Sequence, residues 1–249
     1  MSLQSTIKWA LIAFAIISHK TIPFAYVIRF YYHAIIGLLS SKLQLSKDST
    51  KYNSYNFNKP SDLFKTITLN SRVSPLEIDM YLHKSNSTYF LDLDIARTKF
   101  LIRLLQPYWW YAFANEHKQF GGAVKKSYSI SNFPYVPVAT VQCQFKKELK
   151  PFEKFKITSR ILAWDKKWLF VLSIFTTYNK QTKKFNTINA IALTKYVFKI
   201  GRLTISPIDI LKHCNFINEE NLLINEKNYN LVQYLVDTEN LEKLASLCI

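Results

Sequence analysis

PLEIDMYLHKSNSTYFLDLDIARTKFLIRLL, running from Pro75 to Leu105, passes from a polar, acid-bearing segment into a strongly apolar one. Its second half has helical period. Tyr89, Leu93, Ala96, Phe100 and Leu104 recur along one face, with Phe90 and Leu101 widening the stripe, while Asp92, Lys99 and Arg103 lie away from its centre. Ser85 or Ser87 can cap the start by accepting hydrogen bonds from free backbone N–H groups, and Pro107 stops the helix. A stripe this apolar over five turns predicts a helix packed under a sheet.

The flanking sequence supplies that sheet. LFKTITLNSRV, ahead of the helix, alternates apolar and polar residues as a strand does. After the aromatic cluster PYWWYAF, read as core or lid packing, come VPVATVQCQF, FEKFKITSRILAW, WLFVLSIFTTY and FNTINAIALTKYVFKI. Short turns at Asp165–Lys167 and Asn179–Lys184 make the last three an antiparallel meander. The expected plan is α+β: a curled antiparallel sheet of about five strands around one long central helix.

Domain organisation follows from composition. No acidic residue occurs from Met1 to Lys47. In that region IKWALIAFAIIS is too short for a full membrane span, which needs about 20 apolar residues. TIPFAYVIRFYYHAIIGLL is long enough but carries Arg29 and His33 four residues apart, on one helical face. A retained anchor, an interfacial helix and a buried helical hairpin all fit this pattern. The expected divisions are a membrane-associated segment over residues 1–45, a polar linker over 46–62, the α+β domain over 63–205 and a tail of two or three short helices over 206–249.

The 249 residues carry a formal charge of +16, which favours phosphate-bearing ligands, anionic membrane surfaces or nucleic acid. No nucleic-acid motif is present, so that class is set aside. Cys143, Cys214 and Cys248 show no C-x-x-C spacing and the five histidines are scattered, so neither a disulfide framework nor a metal site is indicated.

The candidate chemistry lies just ahead of the helix. Glu77 and Asp79 form an acidic pair with one residue between them, His83 follows four residues after Asp79, and Asn86 stands at the helix mouth. A helix N-terminus offers unpaired N–H groups to an oxyanion, and a neighbouring carboxylate can attack or activate water. These are the parts needed for acyl transfer from a thioester. The same residues also make an ordinary polar entry to a buried helix.

EIDMYLHKSNSTYFLDLDIAR resembles the signature of hotdog-fold acyl-CoA thioesterases of the 4-hydroxybenzoyl-CoA thioesterase type, and is similar to their THEM6-like branch with an N-terminal membrane segment. In that signature an acidic pair precedes a histidine, two asparagines, a tyrosine and an acidic-x-Ala-Arg element. Asp79, His83, Asn86 and Tyr89 fall on those positions, as do Asp94, Ala96 and Arg97. Glu77 stands for the first acid, and Lys84 and Ser85 replace a hydrophobic residue and the first asparagine. The resemblance implies Asp79, His83 and Asn86 as catalytic residues and Glu77, Ser85, Ser87 and Tyr89 as substrate contacts. It also implies a homodimer, an acyl-CoA or other acyl thioester as substrate, and no separate cofactor, coenzyme A arriving as part of the substrate. Lys125 with Lys126, Lys146 with Lys147 and Lys166 with Lys167 are candidate contacts for its phosphates. The expected role is thioester hydrolysis at a membrane in lipid metabolism, at the endoplasmic reticulum or alternatively the mitochondrion. The competing expectation is an inactive hotdog protein that binds acyl groups or scaffolds a membrane.

Overall fold

The computed structural model describes residues 2–44, 57, 59–116, 120 and 127–233. The expected linker therefore lies largely outside the described residues. Two helices come first, α1 (Leu3–Ile17) and α2 (Ala25–Gln44). The central α3 (Asn86–Leu104) follows strand β1 (Ile67–Arg72), and α4 (Gln106–Ala114) follows α3 directly. The remaining strands of the main sheet are β2 (Val138–Phe145), β3 (Lys154–Trp164), β4 (Leu169–Asn179) and β5 (Lys184–Tyr196). They pair antiparallel in the order β1-β3-β4-β5-β2. One long helix against a five-stranded antiparallel sheet is the hotdog arrangement expected from the sequence.

The alternation along β3 shows how the sheet holds its helix. Phe155, Ile157, Ser159 and Ile161 are buried towards α3, while Lys154, Lys156, Thr158 and Arg160 alternate with them on the other face. Tyr89, Leu93, Ala96, Phe100 and Leu104 of α3 are buried, as the periodicity requires. Burial extends well beyond that stripe, to Asp92, Ile95 and Arg97. Helix α2 and the turn before it pack on α3 and help to cover Asp92, while Arg97 is held against β5 by Thr194. Gly37 permits the approach: a Cβ there would sit 2.7 Å from Ile102 Cγ2.

Two elements depart from the sequence reading. Pro107 ends α3 but also begins α4, because a proline in the first turn of a helix gives up no hydrogen bond. PYWWYAF is thus helical, with Tyr108 and Trp109 in the core. The last apolar run breaks at Val197, whose N–H bonds Pro137 O, and Phe198–Ile200 (β6) pairs instead with Leu203–Ile205 (β7) around Gly201 at φ 57°.

Two helices follow, α5 (Pro207–His213) and α6 (Glu219–Val232). The Asn225 amide accepts from Trp164 N at 2.7 Å and donates to Trp164 O at 3.1 Å, and Asn228 donates to Leu162 O at 2.8 Å. These bonds serve backbone groups where the β3–β4 register slips between Ile161 and Ala163. Among the described residues no helix is long and apolar enough to cross a membrane. Helix α1 buries none of its residues, and Trp9, Leu11 and Phe14 are among those it exposes.

Candidate active site at the mouth of the central helix

The approach to α3 is a small folded loop. Pro75–Glu77 forms a 3-10 turn closed by Ser74 N donating to Glu77 Oε2 at 2.7 Å. Residues 77–79 then pair with 83–85: Asp79 N donates to His83 O, and Ser85 N donates to Glu77 O. The reversal requires Leu82 in the left-handed region, at φ 59°. Asp79 Oδ1 accepts from Tyr81 N at 2.9 Å and lies 3.5 Å from His83 Nδ1, and the Tyr81 ring stacks on His83. Asp79 is partly exposed, and its Oδ2 has no hydrogen-bond partner among the described residues.

Ser85 is the N-cap of α3, but its hydroxyl bonds the Ser87 hydroxyl at 3.0 Å rather than the helix backbone. Thr88 N and Oγ1 both bond Ser85 O. The backbone N–H groups of the exposed Asn86 and Ser87 have no acceptor among the described residues. An uncapped mouth with positive partial charge thus opens beside Asp79 and His83.

Behind the mouth lies a buried ionic cluster. Lys84 Nζ bonds Glu77 Oε1 at 2.6 Å and Asp92 Oδ2 at 3.0 Å, with its side chain wholly enclosed. Lys20, in the turn between α1 and α2, bonds the same two carboxylates at 2.8 and 2.9 Å. Arg29 of α2 reaches Asp92 Oδ1 at 3.4 Å. Two buried carboxylates are clasped by two buried ammonium groups, with the partly exposed Arg29 guanidinium as a third cation, so no buried charge is left unpaired. Burial by itself raises the Asp92 carboxyl, but the charges and hydrogen bonds of Lys84 and Lys20 outweigh it and hold it down at about 2. Burial lowers the Lys20 ammonium against the opposing pull of Asp92.

The candidate residues therefore occupy two environments. Asp79 with His83, Ser85 with Ser87, and Asn86 are all at least partly exposed on the segment that enters α3. Glu77 faces inward to the two lysines, and Tyr89 is in the core, its ring against Phe145 and Phe175 and its hydroxyl raised by burial. Lys20 and Asp92 carry no signal of this role in the sequence, since the partners are 72 residues apart. Lys84 was visible as a departure from the signature; its meaning was not.

A second carboxylate, Asp94, accepts from Tyr26 Oη at 3.1 Å and pairs with Arg97, which donates to Thr194 Oγ1 at 2.7 Å. Asp94 stands at the wall of an apolar cavity of about 450 Å3 between α2, α3 and the start of β2, lined by Phe30, Leu101, Ile102, Trp109 and Tyr196. Four separate segments build it, so no local pattern announces it. Among the described residues no group of His, Cys, Asp and Glu side chains could hold a metal ion.

Comparison with known proteins agrees with this architecture. A probable thioesterase of Saccharomyces cerevisiae is 36% identical over 236 residues, covering 93% of this chain and 90% of the relative. Thioesterase lcsJ of Purpureocillium lilacinum is 37% identical over 156 residues, which is 62% of this chain and 50% of the relative. The chain thus spans nearly all of the yeast protein and about half of lcsJ. Among solved structures, 4-hydroxybenzoyl-CoA thioesterase from Pseudomonas sp. is similar at 17% identity and a TM-score of 0.44, over 60% of this chain and 99% of that one. Residues 73–200 match the thioesterase-like superfamily, and this span runs from the acidic pair through the mouth of α3 to the end of the sheet. With that match and the yeast relative, the chain belongs to the thioesterase-like superfamily.

Proposed function

We propose that the protein hydrolyses an acyl-CoA or related acyl thioester at the mouth of α3, with Asp79 as the reacting carboxylate. One observation carries this reading. Of the three carboxylates nearest the helix entrance, Glu77 and Asp92 are each held between two lysines, whereas Asp79 keeps one oxygen without a partner among the described residues. The thioester carbonyl oxygen points at the N–H groups of Asn86 and Ser87, which stabilise the charge that develops on it. Asp79 takes a proton from water as the water oxygen bonds the carbonyl carbon. The C–S bond then breaks and the departing thiolate recovers that proton. Lying 3.5 Å from Asp79 Oδ1, His83 orients the carboxylate. Lys146 with Lys147 and Lys166 with Lys167 are available to coenzyme A phosphates, while Lys125 and Lys126 lie outside the described residues.

The same reading includes a homodimer and action at a membrane in lipid metabolism. The exposed apolar α1 supports the membrane contact. The endoplasmic reticulum is the compartment expected for it, with the mitochondrion as the alternative.

The test is thiol release by the full chain across a series of acyl-CoA lengths, with Asp79→Asn alongside. The variant is expected to lose about 10²- to 10⁴-fold in turnover with an unchanged circular dichroism spectrum. Undiminished turnover in the variant would remove Asp79 from the mechanism. A second reading, acyl-CoA binding without hydrolysis, is favoured by Lys84 occupying Glu77 and by Ser85 standing where the signature has asparagine. It predicts saturable binding with no thiol released by the wild-type chain.

A further inference from the structure

A second, larger opening lies away from the α3 mouth. It is a cleft of about 970 Å3 between the N-terminal hairpin and the β1 edge of the sheet. Among the described residues no carboxylate lines it, whereas six lysine and arginine residues do. Two of these, Lys20 and Arg29, are engaged with Glu77 and Asp92. Lys99 donates to Thr68 O at 2.7 Å, and Lys156 lies over the Phe185 ring. Arg72 and Lys154 are exposed cross-strand partners of like charge, and neither makes an ion pair among the described residues. Like charges placed directly opposite on paired strands repel, so this pair costs stability unless an anion lies between them.

His33 registers the same field. Burial together with the charges of Lys99, Arg29 and Arg103 pushes its imidazole down to about 4, so it is neutral at physiological pH. The apolar part of the cleft is equally specific in chemistry. Ile16 and Ile17, the last residues of α1, form its rim and are largely exposed. Helix α1 is about 22 Å long at 1.5 Å per residue, shorter than a bilayer core of about 30 Å, and it is apolar on every side from Trp9 to Ile17, with Gln4, Ser5, Thr6 and Lys8 confined to its first turns. A phosphate held by Arg72 and Lys154 would have α1 beside it as a surface for hydrocarbon chains.

We propose that this cleft is a headgroup site for an anionic phospholipid of the bilayer, seating the lipid phosphate between the hairpin and the β1–β3 edge while α1 lies among the acyl chains. The inference rests on the membrane contact above and is independent of whether Asp79 catalyses hydrolysis. Each basic side chain near an anionic surface contributes about five-fold to binding.

The experiment is flotation of the full chain with vesicles of phosphatidylcholine alone and of phosphatidylcholine with phosphatidic acid, using wild type and Arg72→Glu/Lys154→Glu. Both substituted residues are exposed, and an unchanged circular dichroism spectrum is the check that the double variant keeps the fold. Wild type is expected to prefer the anionic vesicles, and the double variant to fall at least about 25-fold on them, to the level seen on neutral vesicles. In the supporting outcome, glycerol 3-phosphate also raises the His33 pKa followed by NMR. Equal binding of wild type to both vesicles would overturn the headgroup site and leave the membrane contact standing. Binding to neither overturns both. Loss of anionic-vesicle binding on adding excess coenzyme A would assign the cleft to the phosphates of the substrate and overturn the lipid assignment.

Discussion

Lys84 stands between two residues of the candidate site, His83 and Ser85, yet its side chain is almost completely buried. Its burial is tolerable because Glu77 and Asp92 meet it at hydrogen-bonding distance. Replacing it would leave Glu77 with Lys20 as its one cation and Asp92 with Lys20 and the more distant Arg29. Lys84→Met is therefore expected to cost about 3–5 kcal/mol in urea unfolding, and adding Glu77→Gln to recover part of that loss, because the unpaired charge rather than the missing contact is the larger penalty. Unchanged stability in the single variant would show that the cluster does not hold the mouth. The pH dependence has a definite sign. The Asp92 carboxyl is lower in the folded chain than its ordinary 3.8, so its contribution is fully present above about 4 and is lost as pH falls towards about 2. Of this cluster, Glu77 was legible beforehand as half of the acidic pair and Lys84 as a departure from the signature, both being neighbours in the chain. The burial of Asp92 was not, because the turn that covers it comes from the other end of the protein.

Among the elements, the strands were legible where apolar and polar residues alternate and one face is buried, as in β3. The end of β5 was not: the apolar run continues past Tyr196, and only pairing with a neighbour decides where a ladder stops. The N-terminal run carrying Arg29 and His33 left a span, an interfacial helix and a buried hairpin open. In the fold α2 lies on α3, with Arg29 spent on Asp92 and Tyr26 on Asp94. Gly37 is the close point of that packing. Gly37→Leu is expected to destabilise the protein by about 1–3 kcal/mol through overpacking against Ile102, and Ile102→Ala in the same chain to relieve it. Thermal unfolding of the two variants reads this directly. Equal midpoints for Gly37→Leu and wild type would mean that α2 is not held against α3 at this position.

For the whole molecule, the sheet ends at β2, which pairs only with β5 and so leaves one row of backbone groups unpaired among the described residues. Val138 and Phe145 at its ends are exposed, as are Met80, Tyr81 and Leu82 in the loop before α3. An open eight-residue edge next to exposed apolar side chains invites a second copy. Sedimentation is expected to give a dimer, and a proline at Gln142 in the centre of β2 to shift it towards monomer. A wild-type monomer at micromolar concentration would refute the proposed homodimer.

The plan of one central helix and about five strands follows from hydrophobic period, a local property that sets which face of each element can be buried. The amino-acid sequence also places the reactive candidates, which lie within ten residues of one another. Which carboxylates are neutralised, which one keeps an oxygen without a partner among the described residues, and where the basic cleft opens are set by the three-dimensional packing. Those outcomes depend on side chains brought together from α1, α2, β1, β3 and α3, and electrostatic pairing acts through distance in space rather than separation along the chain.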